Sequence, residues 1–130
     1  MDFLKPYTDQ LLSVLRIVSG LLFLQHGTTK FLNFPISPMN NASPMSLGGA
    51  AGLIELVGGI LLVIGLFTRP VAFVLSGTMA AAYFIAHSSR GIFPLLNGGE
   101  LAALYCFVFL FFAAAGGGTW SVDKLRSKEK

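Results

Sequence analysis

The chain has 130 residues, of which 54% are hydrophobic and 12% charged, and its mean hydropathy is +0.72. That leaves too little polar surface to coat a soluble globule of this size, so composition alone predicts a membrane protein. Nine Lys and Arg against six Asp and Glu give a formal charge of +3, but the bases are scattered over helix ends and one tail, which argues against nucleic acid as a partner.

A single cysteine, Cys106, lies inside the apolar run LAALYCFVFLFFAAA. It excludes a disulfide framework, a Cys-x-x-Cys pair and a thiolate metal site, and it reads as a buried packing residue. The N-terminus MDFLKPYTDQ has no acid-free basic region and no small-x-small cleavage site follows the first apolar run, so that run is expected to stay as a helix.

Four spans are predicted, at residues 9–30, 47–67, 70–87 and 98–116, within one transmembrane domain covering 1–130. The second, LGGAAGLIELVGGILLVIGLF, meets the ~20 apolar residues that a helix needs to cross a bilayer. It carries one charge, Glu55, whose insertion costs roughly 2.5 to 3.5 kcal/mol unless a partner compensates it. Pro6, Pro35, Pro70 and Pro94 all fall at the edges of these runs, where a missing N–H does least harm. Residues 31–46 contain the stretch NFPISPMNNASPMS, with three prolines, three asparagines and three serines, and are predicted to be an exposed outer loop. Thr68 and Arg69 leave room only for a tight turn, making spans two and three antiparallel neighbours. Lys5, Arg69, Lys124, Arg126, Lys128 and Lys130 collect on one side against Lys30 and Arg90 on the other, which puts both termini in the cytoplasm. Trp120 reads as an interfacial anchor, and the basic tail 120–130 as a segment near anionic headgroups. The expected fold is an all-α membrane four-helix bundle.

The polar residues recur at helical spacing. Ser13, Arg16, Gly20, Phe23, His26 or Gly27, and Lys30 share one face of the first span. Gly48, Ala51 or Gly52, Glu55, Gly58 or Gly59, and Leu62 share one face of the second, where small residues let backbones approach closely. Ser76, Met79 or Ala80, Tyr83, His87 and Arg90 align on the third, and the fourth opens with Gly98, Gly99 and Glu100. At about 1.5 Å per residue, Glu55 lies about 12 Å deep, while His26, Lys30, His87, Arg90 and Glu100 lie within about one turn of the outer surface. Arg16 sits nearer the cytoplasmic side, an axial gap of roughly 8 Å from Glu55, and an Arg16–Glu55 pair is expected because each charge otherwise goes uncompensated. The candidate site is therefore a polar pocket open to the outer face, lined by Arg16, His26, Lys30, Glu55, Tyr83, His87, Arg90 and Glu100. The segment YFIAHSSRGIFP echoes LFLQHGTTKFLNFP, and each leads into Gly-Gly and a glutamate. A two-span repeat about an axis along the membrane normal, or chance, accounts for it.

These residues resemble the DoxX family of small bacterial four-helix membrane proteins. The resemblance is carried by LLSVLRIVSGLLFLQHGTTKF, by Glu-Leu-x-Gly-Gly at Glu55, by Gly-Leu-Phe-Thr-Arg-Pro, by the third-span Ala-His, by FPLLNGGELA, and by Gly-Thr-Trp-Ser-x-Asp. It implies a multi-pass protein of the bacterial inner membrane associated with redox systems, either as a subunit passing electrons from sulfur compounds to quinone or as a partner of thiol-stress enzymes. Related members that work through paired cysteines are no model, because Cys106 is alone.

Three functions follow as alternatives to the plain reading, in which the ionisable groups only specify packing. The first is a redox-associated accessory or quinone-interacting subunit: His26, His87 and Lys30 hydrogen-bond a quinone carbonyl, Tyr83 and Phe23 flank the ring, and Glu55 relays a proton. The second is a small transporter or proton pathway, particularly as a homo-oligomer. The third is a scaffold for a membrane complex. No self-contained catalytic constellation is present, so any enzymatic role is that of a subunit beside a redox-enzyme partner. No metal site is expected, since His26 and His87 lack a supporting ligand set, and hydride chemistry lacks a dinucleotide fold.

Overall fold

The computed structural model describes residues 1–128, so residues 129 and 130 of the predicted tail lie outside the described residues. Every regular element among the described residues is helical. A 3-10 turn at Asp2–Tyr7 leads into α1 (Thr8–Leu32), followed by α2 (Leu47–Ile64) and α3 (Thr68–Ala82). The chain then continues through a π-helical turn at Tyr83–His87 and a 3-10 turn at Ser88–Arg90 to the short α4 (Pro94–Asn97), α5 (Glu100–Ala115) and α6 (Val122–Lys128). Three stretches, Asp2–Leu32, Leu47–Ile64 and Thr68–Arg90, are long and apolar enough to cross a membrane, and Glu100–Ala115 is a shorter apolar helix. The chain divides into two compact units, one of Met1–Thr68 with Gly117–Lys130 and one of Arg69–Gly116.

The first unit is built on α1 and α2, and its packing inverts that of a water-soluble helix pair. The buried stripe of α1 is Ser13, Arg16, Ser19, Gly20, Phe23, Gly27, Thr29 and Lys30, while Leu15, Val18, Leu21 and Leu22 face outward. Lipid rewards this arrangement, because apolar side chains lose nothing by facing acyl chains and polar ones must find partners inside. Glycines set the seam. A Cβ added at Gly20 would meet the Val63 backbone at 3.2 Å, at Gly59 the Leu24 Cα at 3.0 Å, at Gly27 the Leu56 nitrogen at 2.6 Å, and at Gly52 the Phe31 ring at 2.8 Å. The facing positions climb α1 as they descend α2, so the helices are antiparallel, and the glycines alternate between them at heptad spacing. Ser46 starts α2 by accepting the Gly49 N–H at 3.0 Å, an N-cap. Gly65 ends it at φ +71°, a left-handed C-cap that a side chain would strain.

The connecting segment is more ordered than an unstructured loop. Thr29 Oγ1 contacts the Pro35 carbonyl at 2.5 Å and Ser37 Oγ at 2.7 Å, and Asn40 Nδ2 donates to the Thr29 carbonyl at 2.6 Å.

In the second unit α3 and α5 form another antiparallel pair. Arg69, at the start of α3, donates to the carbonyls of Ala113, Ala114 and Ala115 at the end of α5, where the last turn of a helix leaves acceptors unfilled and the dipole favours a cation. Ser76 Oγ donates to the Cys106 carbonyl at 2.7 Å, and Tyr105 stacks on Phe109 with centroids 5.2 Å apart.

Candidate functional site

The first unit carries two polar knots, one near each end of the α1–α2 seam. Arg16 is fully buried at 0% exposure, and its guanidinium is spread over carbonyls: Nε donates to Gly117 at 2.9 Å, Nη1 to Leu62 at 2.5 Å and Val63 at 2.6 Å, and Nη2 to Trp120. Ser13 Oγ accepts the Trp120 N–H at 3.0 Å. The expected Arg16–Glu55 pair is thus absent. The open carbonyls at the end of α2 and in the segment after α5 offer Arg16 several acceptors around a planar fork, which one distant carboxylate cannot match.

Glu55 is held instead by Lys30, whose Nζ lies 2.6 Å from Oε2. Register explains this pairing. Gly52 has no side chain where the Lys30 stem passes, and a Cβ there would lie 2.7 Å from Lys30 Cδ, so the lysine runs along the glycine gap to a carboxylate one turn deeper. His26 is half-buried with its ring centroid 6.5 Å from that of Phe23.

In the second unit the cluster forms around a residue that the sequence reading passed over. Asn97 is buried to 1% exposure. Its Nδ2 donates to the Gly91 carbonyl at 2.9 Å and to Tyr83 Oη at 3.1 Å, its Oδ1 accepts the Gly99 N–H at 2.8 Å, and its carbonyl lies 3.2 Å from His87 Nδ1. The detectable signal was Asn97-Gly98-Gly99, a turn sequence whose asparagine fixes its own backbone two residues on, with Gly98 at φ +75°. Tyr83 and His87 bound the π turn, with ring centroids 6.5 Å apart. Such turns are rare and often accompany functional residues. Arg90 and Glu100 are exposed and form no ion pair among the described residues.

A carbonyl only accepts, so this contact is a hydrogen bond when His87 Nδ1 carries the proton, and that tautomer leaves Nε2 as an acceptor. Nε2 makes no hydrogen bond among the described residues. Of the eight expected residues, Arg16 is bonded to backbone carbonyls, Lys30 and Glu55 pair with each other, and His87 beside Tyr83 has a ring nitrogen, Nε2, with no hydrogen bond among the described residues. Among the described residues no three His, Cys, Asp or Glu side chains gather as a metal site would require.

Beyond the apolar helices, on α6, Asp123 receives the backbone N–H groups of Phe67 and Thr68, each at 2.8 Å. Burial alone would raise its pKa, but these hydrogen bonds and the charge of Arg126 outweigh it and hold the carboxyl below its ordinary value.

An uncharacterized protein of Haemophilus influenzae is 48% identical over 130 residues, covering 95% of this chain and 96% of that protein. No solved structure matches. The DoxX family model matches residues 11–88, which takes in Arg16, His26, Lys30, Glu55, Tyr83 and His87. The chain belongs to the DoxX family.

Proposed function

We propose that this DoxX-family membrane protein crosses a bacterial inner membrane four times with both termini in the cytoplasm, and serves a membrane redox system as an accessory subunit that holds a quinone head group at His87. The distribution of Lys and Arg supports the orientation. The observation that carries the site is the contact of His87 Nδ1 with the Asn97 carbonyl at 3.2 Å: an Nδ1–H donated there leaves Nε2 as an acceptor that no described residue fills. Such a nitrogen accepts the hydroxyl of a quinol. Once protonated, the same imidazole donates from Nε2 to a quinone carbonyl, so one side chain suits both forms. The Tyr83 ring supplies an aromatic face, and Asn97 keeps both rings in place. A bound quinone supplies the electron-carrying chemistry, shared with a partner enzyme.

A scaffold role is favoured by a separate observation: Arg16 and the Lys30–Glu55 pair are consumed by packing contacts, as in a protein whose α1–α2 face serves assembly. Solvent extraction of protein purified in mild detergent separates the readings. Quinone in the parent and none in a stably folded His87→Leu variant is the expected result. No quinone in the parent, or equal quinone in the variant, rejects the site, and a co-purifying partner without quinone points to the scaffold.

A further inference from the structure

A shallow groove of about 370 Å³ is lined by Ile64, Thr119, Trp120, Ser121, Val122 and Leu125, all of them in the first unit. Its walls are mostly apolar, and Trp120 and Leu125 are exposed to 57% and 62%. Lys124, Arg126 and Lys128 stand exposed beside it, and none of them forms an ion pair among the described residues. The acid in this helix, Asp123, binds the Phe67 and Thr68 N–H groups and acts on the charge of Arg126, with no ion pair to Lys124 or Lys128 among the described residues. Arg126 lies over the Phe67 ring with Cζ 5.0 Å from its centroid, which leaves Lys124 and Lys128, one turn apart on one face of α6, without an ion-pair or ring partner among the described residues.

We propose that this groove binds an anionic phospholipid, with an acyl chain against Ile64, Val122 and Leu125 and the phosphate at Lys124 and Lys128. Charge complementarity selects this occupant: exposed bases on the same helix that lines an apolar trough match a ligand that is anionic at one end and hydrocarbon at the other, and Trp120 fits the headgroup level.

The full-length protein in mild detergent is mixed with dioleoylphosphatidylglycerol or dioleoylphosphatidylcholine and the bound lipid counted by native mass spectrometry. Preferential retention of the phosphatidylglycerol is expected. Lys124→Gln with Lys128→Gln should weaken it roughly 25-fold, about fivefold per base removed, and Leu125→Ser should shorten retention without altering charge. These side chains are exposed, so thermal unfolding should match the parent's. Equal retention of the two lipids by the parent overturns the proposal. So does displacement by excess inorganic phosphate, which marks a free-anion site, or undiminished binding in the charge variant.

Discussion

Lys30 Nζ donates to Glu55 Oε2 across 2.6 Å, and the two side chains are only 11% and 8% exposed. The pair closes the α1–α2 seam where Gly52 leaves the lysine stem a path. Removing one partner strands a buried charge. Glu55→Ala is expected to cost about 3 to 5 kcal/mol, while Lys30→Met with Glu55→Leu recovers most of that loss because no charge is left behind. Thermal unfolding in a fixed detergent measures both. A double variant as unstable as the single one contradicts this account.

Arg16→Lys tests the carbonyl knot. An ammonium on a flexible stem cannot bridge Leu62 and Val63 on one side and Gly117 and Trp120 on the other, and each buried carbonyl left open costs about 1 to 3 kcal/mol. A loss of at least about 3 kcal/mol is expected, with faster hydrogen exchange at Trp120 and Asp123, whose N–H groups are held by Ser13 and Gly65 beside the knot.

The all-helical fold was legible in the sequence because prolines, charges and apolar length all constrain the helices, and α2 begins at Leu47 where its apolar run begins; the fourth apolar helix, Glu100–Ala115, is shorter than the span expected there. Partner choice was not. Ranking residues by depth put Arg16 and Glu55 within reach of each other, but depth carries no information about rotation or about backbone acceptors, and the carbonyls of Leu62, Val63, Gly117 and Trp120 have no signature in side-chain sequence. Asn97 was missed for a related reason: as a turn residue beside two glycines it reads as punctuation, although it acts as the hub for Tyr83 and His87.

Two glycine substitutions should behave oppositely. Gly27→Ala brings a Cβ against the Leu56 backbone, which cannot yield without separating the helices, and should cost about 1 to 3 kcal/mol. Gly77→Ala meets nothing within 4 Å and should stabilise α3 by up to about 1 kcal/mol through helix propensity. Unfolding midpoints of the two variants, compared with the parent, report both signs.

Asp123 makes stability depend on acid. Its folded pKa is lowered, since the Thr68 and Phe67 hydrogen bonds and Arg126 outweigh burial. Its contribution is therefore complete above the unfolded value near pH 4 and is lost as pH falls through the lower folded value. Asp123→Asn should flatten this part of the stability profile and cost about 0.5 to 2 kcal/mol at neutral pH, the worth of a helix-start cap. An unchanged acid limb in the variant would assign it to other carboxyls.

The quinone site at His87 is tested most directly by nitrogen-15 NMR of the histidine rings in detergent-solubilised protein, titrated with a water-soluble quinol. The account predicts that the Nδ1–H tautomer of His87 is present, and that its Nε2 resonance moves on titration while that of His26 stays in place. A His87 protonated on Nε2, or an Nε2 signal that ignores the quinol, would contradict it.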